Sequence, residues 1–264
     1  MIRPKASLRT TCLASSLFFA ARMAQTAEGA TSDPPGVGDP TLAAVKKALP
    51  PEDANRSITV AGRADGHLLA LQNRGVTVTG PAVALLVNVE EKSTDSHDVR
   101  WSPHLFVTAT KGGDIEILAH QELSAMRYDF DSSLDKGSKL SLGTLPLTKD
   151  AIGLLVTLRK VEGTEKSASI EEMVAIYVVH KNSFALAFSQ RVESSTAEVV
   201  DGVKQISQEV TKVELGKKAT GKLMDLMLTT KRVEKKGDQT NESKPAVDHW
   251  CWNDTSGIYM PECK

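Results

Sequence analysis

Beyond residue 56 the chain alternates. Ile58 and Val60 stand out of "SITVAGR", and Val76 and Val78 out of "GVTVTG", each between polar or small neighbours. A period of two puts every second side chain on one face, so these stretches predict half-buried strands. "AVALLVNVEE" is apolar almost throughout and predicts a strand covered on both faces. "HLFVTATKGGDIEILAHQEL" predicts a hairpin, with one arm over 105–110, a turn at Lys111-Gly112-Gly113-Asp114 and a second arm over 115–123. Further strands are expected over 126–130, 152–161, 173–180, 184–192, 199–213 and 223–233. Turn residues at Gly143, Gly163, Asn182, Gly202, Gly216 and Gly221 separate several of them. Strands so close together, without helices between them, predict an all-β fold of antiparallel sheets, as a sandwich, a propeller-like array or a partial barrel.

The pattern differs at the two ends. Leu42, Val45 and Leu49 have helical spacing and Pro50-Pro51 follows, which predicts one short N-terminal helix. Residues 28–40 are Gly, Pro and small polar residues and read as a flexible linker ahead of a β-rich domain over 41–233. Residues 234–247 are charged and polar and read as a second linker or loop. The hairpins "LFVTATKGGDIEILAHQEL" and "AIYVVHKNSFALAFSQRV" share a plan, with Gln121 and Gln190 in matching places. A duplicated unit would look this way, but so would any two hairpins, and few positions match.

The last stretch, 248–264, predicts a small hairpin packed on the β domain. His249 to Trp252 form one arm, Asn253 to Gly257 the turn and Ile258 to Met260 the other arm. An isolated two-stranded hairpin is marginal in water. Here Trp250, Trp252 and Tyr259 supply cross-strand bulk, and a Cys251–Cys263 bridge would brace the loop by ~3 kcal/mol. A turn centred on Gly257 would set the two cysteines opposite each other, with Pro261 placing the second arm at a sheet edge. Trp250, Trp252 and Tyr259 are also the candidate binding residues, as an aromatic tip. His249 with the two cysteines lacks the close spacing of a zinc site.

Composition adds a location. Arg3, Lys5 and Arg9 precede the uncharged run "TTCLASSLFFAA", and small residues follow, which is the layout of a secretory signal peptide over 1–27. The run is shorter than the ~20 residues that span a bilayer. Cleavage after Ala24, Ala27 or Ala30 is expected. Loss of 1–27 removes Arg3, Lys5, Arg9 and Arg22 and no acid, taking the formal charge from −1 to −5. It also removes Cys12, and two cysteines left in an exported chain predict a disulfide. Aromatics make up only 5% of the residues, so the core must be built from aliphatic side chains. Without a basic excess or interleaved aromatics, the Lys-rich stretches "GKKATGK" and "KRVEKKGD" do not read as a nucleic-acid surface.

Candidate chemistry is sparse. The sequence has no G-x-S-x-G elbow, no H-E-x-x-H, no Walker loop and no paired C-x-x-C. Its six histidines are scattered. "STDSHDVRW" gathers Asp95, His97, Asp98 and Arg100, most simply as a solvated loop. "YDFDSSLDKGSK" gathers Asp129, Asp131 and Asp135 before Gly137. Calcium binding by these acids is the lesser reading, because Tyr128 and Phe130 alternate with Asp129 and Asp131 as in a half-buried strand.

The chain therefore reads as an exported, non-enzymatic β-rich protein of the periplasm or extracellular space. It binds a protein or small molecule, or serves as an envelope-associated scaffold. Two other readings stand beside it. One is an exported hydrolase with Asp95, His97, Asp98, Asp129 and Asp131 dispersed on loops. The other is an enzyme inhibitor that inserts the braced C-terminal loop. No cofactor, metal ligand set, nucleic-acid contact or transmembrane span in the mature chain is expected.

Overall fold

The computed structural model describes residues 40–65, 82–94, 97–148, 151–164, 167–180 and 183–261. The expected leader, nearly all of the first linker, the strand at Val76 and Val78, Asp95 and Cys263 lie outside the described residues.

The expected helix is α1 (Pro40–Ala48), and Pro51 opens a second, one-turn helix, α2 (Pro51–Ala54). Proline is suited to that place because its missing N–H would be unpaired in a first turn anyway. Among the described residues, five strands then build the first sheet: β1 (Ser57–Asp65), β2 (Ala82–Lys92), β3 (Asp98–Lys111), β4 (Asp114–Glu122) and, after a 3-10 turn, β5 (Tyr128–Asp131). Nine build the second: β6 (Lys139–Thr148), β7 (Ala151–Gly163), β8 (Ser167–His180), β9 (Ser183–Val200), β10 (Val203–Leu215), β11 (Leu226–Lys236), β12 (Gln239–Glu242), β13 (Ala246–Asn253) and β14 (Ile258–Pro261). The paired neighbours run antiparallel, and the fold is all-β.

The first sheet has the order β1-β2-β3-β4, with β5 beside β3; the second runs β14-β13-β11-β10-β9-β8-β7-β6, with β12 beside β11. One face of the first sheet packs on the second through Leu86, Leu105, Val107, Val156, Leu158 and Tyr177. Its other face is covered by α1, whose Val45 sits with Leu49, Leu85, Val87 and Phe106. The continuous apolar run of β2 is thus explained, since this strand is covered on both sides. The sheets meet most closely at their edges. A Cβ on Gly62 of β1 would lie 2.6 Å from Leu142 Cβ and 2.8 Å from Leu142 N of β6, so only glycine lets the two backbones approach there.

The second sheet curls on itself. Phe188 of β9 comes within 6.5 Å of Tyr259 of β14, ring centre to ring centre. The curl encloses a separate core of Phe188, Val213, Leu226, Leu228, Trp252 and Tyr259.

Three elements differ from the sequence pattern. β6 is a strand that the pattern does not announce, because Gly143 and Pro146 interrupt it; the ladder shifts register between Pro146 and Thr148. The 199–213 stretch is two strands, broken at Asp201-Gly202, both with positive φ (52° and 76°), as a tight primed hairpin turn requires. Residues 234–247, expected as a linker or loop, are mostly strand. They finish β11, form β12 and begin β13, and polar side chains on both faces hid them.

Candidate functional site

The C-terminal hairpin forms where expected, but its aromatics face inward. Trp252 is 5% exposed and Tyr259 3%, and they meet edge to face at 5.4 Å. Half-buried Trp250 stands edge-on to Phe188 at 5.3 Å. The polar ends of the two buried rings have partners. Trp252 Nε1 donates to Asp254 Oδ1 at 2.9 Å and Tyr259 Oη to the Met224 carbonyl at 2.9 Å. The turn is set by Asn253 Oδ1, which accepts from the amides of Thr255 and Ser256, and by Gly257 at φ 70°. The register corrects the expected centre of the turn: Cys251 lies opposite Met260, not Cys263, and Trp250 opposite Pro261. Cys251 is buried, with Thr220 Oγ1 3.4 Å from its sulfur.

The acidic residues on β3 and β5 do come together. Asp98 pairs with Asp131, and Arg100 with Asp129, across the ladder. His97 joins through its carbonyl, which accepts from the Ser132 amide and hydroxyl. The carboxylates are engaged locally. Asp129 takes Arg100 Nε at 2.8 Å. Asp131 Oδ1 takes the Ser133 amide and hydroxyl, which hold its carboxyl below the usual range. Asp135 Oδ2 accepts the Asp131 amide. The alternation expected of β5 is present, with Tyr128 inward and Asp129 outward. Among the described residues no group of three or more His, Cys, Asp or Glu is placed to hold a metal ion.

A pair that the sequence does not announce lies under the N-terminal helices. His104 of β3 is wholly buried, and its Nδ1 is 3.1 Å from His120 Nε2 of β4. On its other side, His104 Nε2 is 3.5 Å from Asp53 Oδ2 at the end of α2, and Asp53 Oδ1 takes Arg56 at 2.7 Å. His120 stacks on Phe106 at 4.2 Å, nearly parallel. His104 Nε2 makes no hydrogen bond and faces only the Asp53 carboxylate, a setting that favours a proton on Nε2 and leaves Nδ1 to accept from His120 Nε2–H. Burial pushes both imidazoles down, His104 below its ordinary value and His120, with His104 beside it, to about 4.

A fourth region is the outer half of the second sheet. There β9, 18 residues long, continues with β8, β10, β11 and β12 past the cores as a blade. Side chains line up in rungs across it. Thr196, Ser207, Glu234 and Asn241 form one rung, and Glu198, Gln205, Lys236 and Gln239 the next. They line a groove of about 650 Å³. A second groove of about 290 Å³ adjoins it, where Arg232 pairs with Glu209. Strand spacing of ~4.8 Å and ~6.7 Å between like-facing residues make this a grid of hydrogen-bonding groups. Its tip carries the exposed Val199, Val200 and Val203.

No helix among the described residues is long and apolar enough to cross a membrane. No family model matches this chain, and neither a curated protein nor a solved structure matches it.

Proposed function

We propose that this chain is an exported, non-enzymatic binding or envelope-scaffold protein whose contact surface is the polar face of the blade. The observation that carries the reading is the pair of four-strand rungs on strands that run well past the cores they support. Ordinary strands have about five or six residues. Ordering a longer one costs conformational entropy that no core beneath it offsets. A grid of fixed donors and acceptors is pre-organised for a polar ligand, which lowers the entropy lost on binding. A protein surface or an extended polar chain matches its size.

Export rests on the signal-like first 27 residues. The proposed Cys251–Cys263 bridge goes with export. Cys251 is one of the two cysteines left once the first 27 residues are removed. The inward packing of Trp252 and Tyr259 does not favour the inhibitor reading, which needs them exposed.

The test is affinity capture from the native envelope fraction, comparing the natural chain with a Gln205→Ala/Asn241→Ala variant. A specific partner recovered by the first and lost by the second, with equal melting temperatures, is expected. Capture of no specific partner, or equal capture by both, overturns the reading. Mass spectrometry of the native protein is expected to show a chain starting between residues 25 and 31.

A further inference from the structure

We propose that docking of the N-terminal segment α1–α2 on the first sheet is gated by protons taken up at His104 and His120. The segment holds the sheet by two unlike contacts. One is apolar, Val45 and Leu49 on Leu85, Val87 and Phe106. The other is the polar chain from Arg56 through Asp53 and His104 to His120. The polar chain lies in the interface, and its middle member has no exposed surface. The proposal is independent of any reading of the blade.

The neutral state has one good arrangement, in which each ring donates toward Asp53 and each accepts or stacks on its other side. A proton added to either ring disfavours this arrangement, by a different route in each. On His104 it falls on Nδ1, so that two N–H groups face each other across 3.1 Å and only one can donate; on His120 it falls on Nδ1, where it leaves that bond in place but sets a cation against the buried His104 ring. The charged groups facing the pair do not absorb this charge. Asp53 from α2 is already paired with Arg56, and Glu122 from β4 with Arg127. Arg56 is shared further with Glu91, and Glu91 with Arg100. From β2, apolar Val87 lies opposite His104 and apolar Leu85 opposite Phe106. With neutral rings, Asp53, Arg56, Glu122 and Arg127 sum to zero, so a proton on His104 leaves a net buried charge and one on partly buried His120 a net charge beside it. Lifting α1–α2 gives the rings water.

The sign follows from linkage. Both folded-state values lie below the ordinary imidazole value. The docked state is therefore fully favoured above about pH 6.5, and loses ground as pH falls toward about 4. A fall from 6.5 to about 4 sets a ceiling of roughly 300-fold on the change in the opening equilibrium from His120. Partial solvent access to this ring brings the expected change to roughly tenfold or more.

Hydrogen exchange of the whole protein, corrected for intrinsic rates, tests this between pH 7 and 4. The reporters are the amides of Leu49 and Ala54, which bond to the carbonyls of Val45 and Pro50. They are expected to lose at least tenfold protection while β7 and β8 keep theirs. In His120→Gln, whose amide still donates to His104 Nδ1 but takes no proton, most of that loss is expected to disappear. Nitrogen shifts of the unmodified protein at pH 7 are expected to show His104 protonated at Nε2. Unchanged protection down to pH 4, loss shared equally by β7 and β8, the same loss in His120→Gln, or a His104 proton on Nδ1 would each overturn the proposal.

Discussion

Truncating Trp252 separates a structural hairpin from a binding one. The side chain is almost fully enclosed, stacks edge to face on Tyr259 and donates to Asp254. Large aromatic-to-alanine changes in a core cost ~3–5 kcal/mol, including the cavity left behind. The Tyr259 pair accounts for ~1 kcal/mol of that. The hydrogen bond adds little, because Asp254 keeps the Lys222 amide and its solvent contact. Trp252→Ala is therefore expected to lose ~4 kcal/mol, a large fraction of the 5–15 kcal/mol that holds an ordinary domain. Trp250 is only half-buried, and Trp250→Ala should lose ~1–2 kcal/mol. Urea titration followed by far-UV circular dichroism reads both, with a melting shift of ~8–16 °C for Trp252→Ala. Partner capture by the folded fraction should be unchanged. A Trp252→Ala protein within 1 kcal/mol of the natural chain, yet unable to capture its partner, would refute the reasoning and make the aromatic pair a contact surface.

Other expectations concern single positions. Gly62→Ala places a methyl against the Leu142 backbone and is expected to destabilise by ~2 kcal/mol in the same titration. Gly163→Ala should be at least as damaging, since its φ is +138° and the added Cβ would lie 2.2 Å from the Ser167 carbonyl oxygen; calorimetry reads it. Tyr259→Phe removes only the bond to the Met224 carbonyl and should cost ~1 kcal/mol, with the near-UV spectrum of the tryptophans retained. Peptide mapping without reductant is expected to join Cys251 to Cys263, and reduction to lower stability by ~3 kcal/mol. Two free thiols in native material would remove the bridge from the account.

Much of the fold was legible because it rests on local periodicity. The β3–β4 hairpin, its Gly112-Gly113 turn, the twofold-covered β2 and the turn between β13 and β14 follow from alternation and turn chemistry. Where the side-chain pattern is interrupted or polar on both faces, the signal fails. Pro146 and Gly143 concealed β6, and the charges of 234–242 concealed the hairpin of β11 and β12. Packing and ladder bonds hold these strands, and neither is written in local spacing.

The sequence by itself determined an all-β chain, an aliphatic interior and a C-terminal hairpin carrying bulky aromatics, because alternation decides which side chains can share a face. Register and closure were decided only in three dimensions. Extending β3 and β4 evenly from their turn would put His104 and His120 on opposite faces. The one-residue slip between Val107 and Thr108, which leaves Leu118 unpaired, places them on the same face. Asp53, far away along the chain, reaches them only because α2 docks there. In the same way the curl of the second sheet, not the content of its last strands, turned Trp252 and Tyr259 from a possible tip into a core. A pattern of period two fixes faces within a strand, but a single extra residue or a bend in the sheet resets which faces meet.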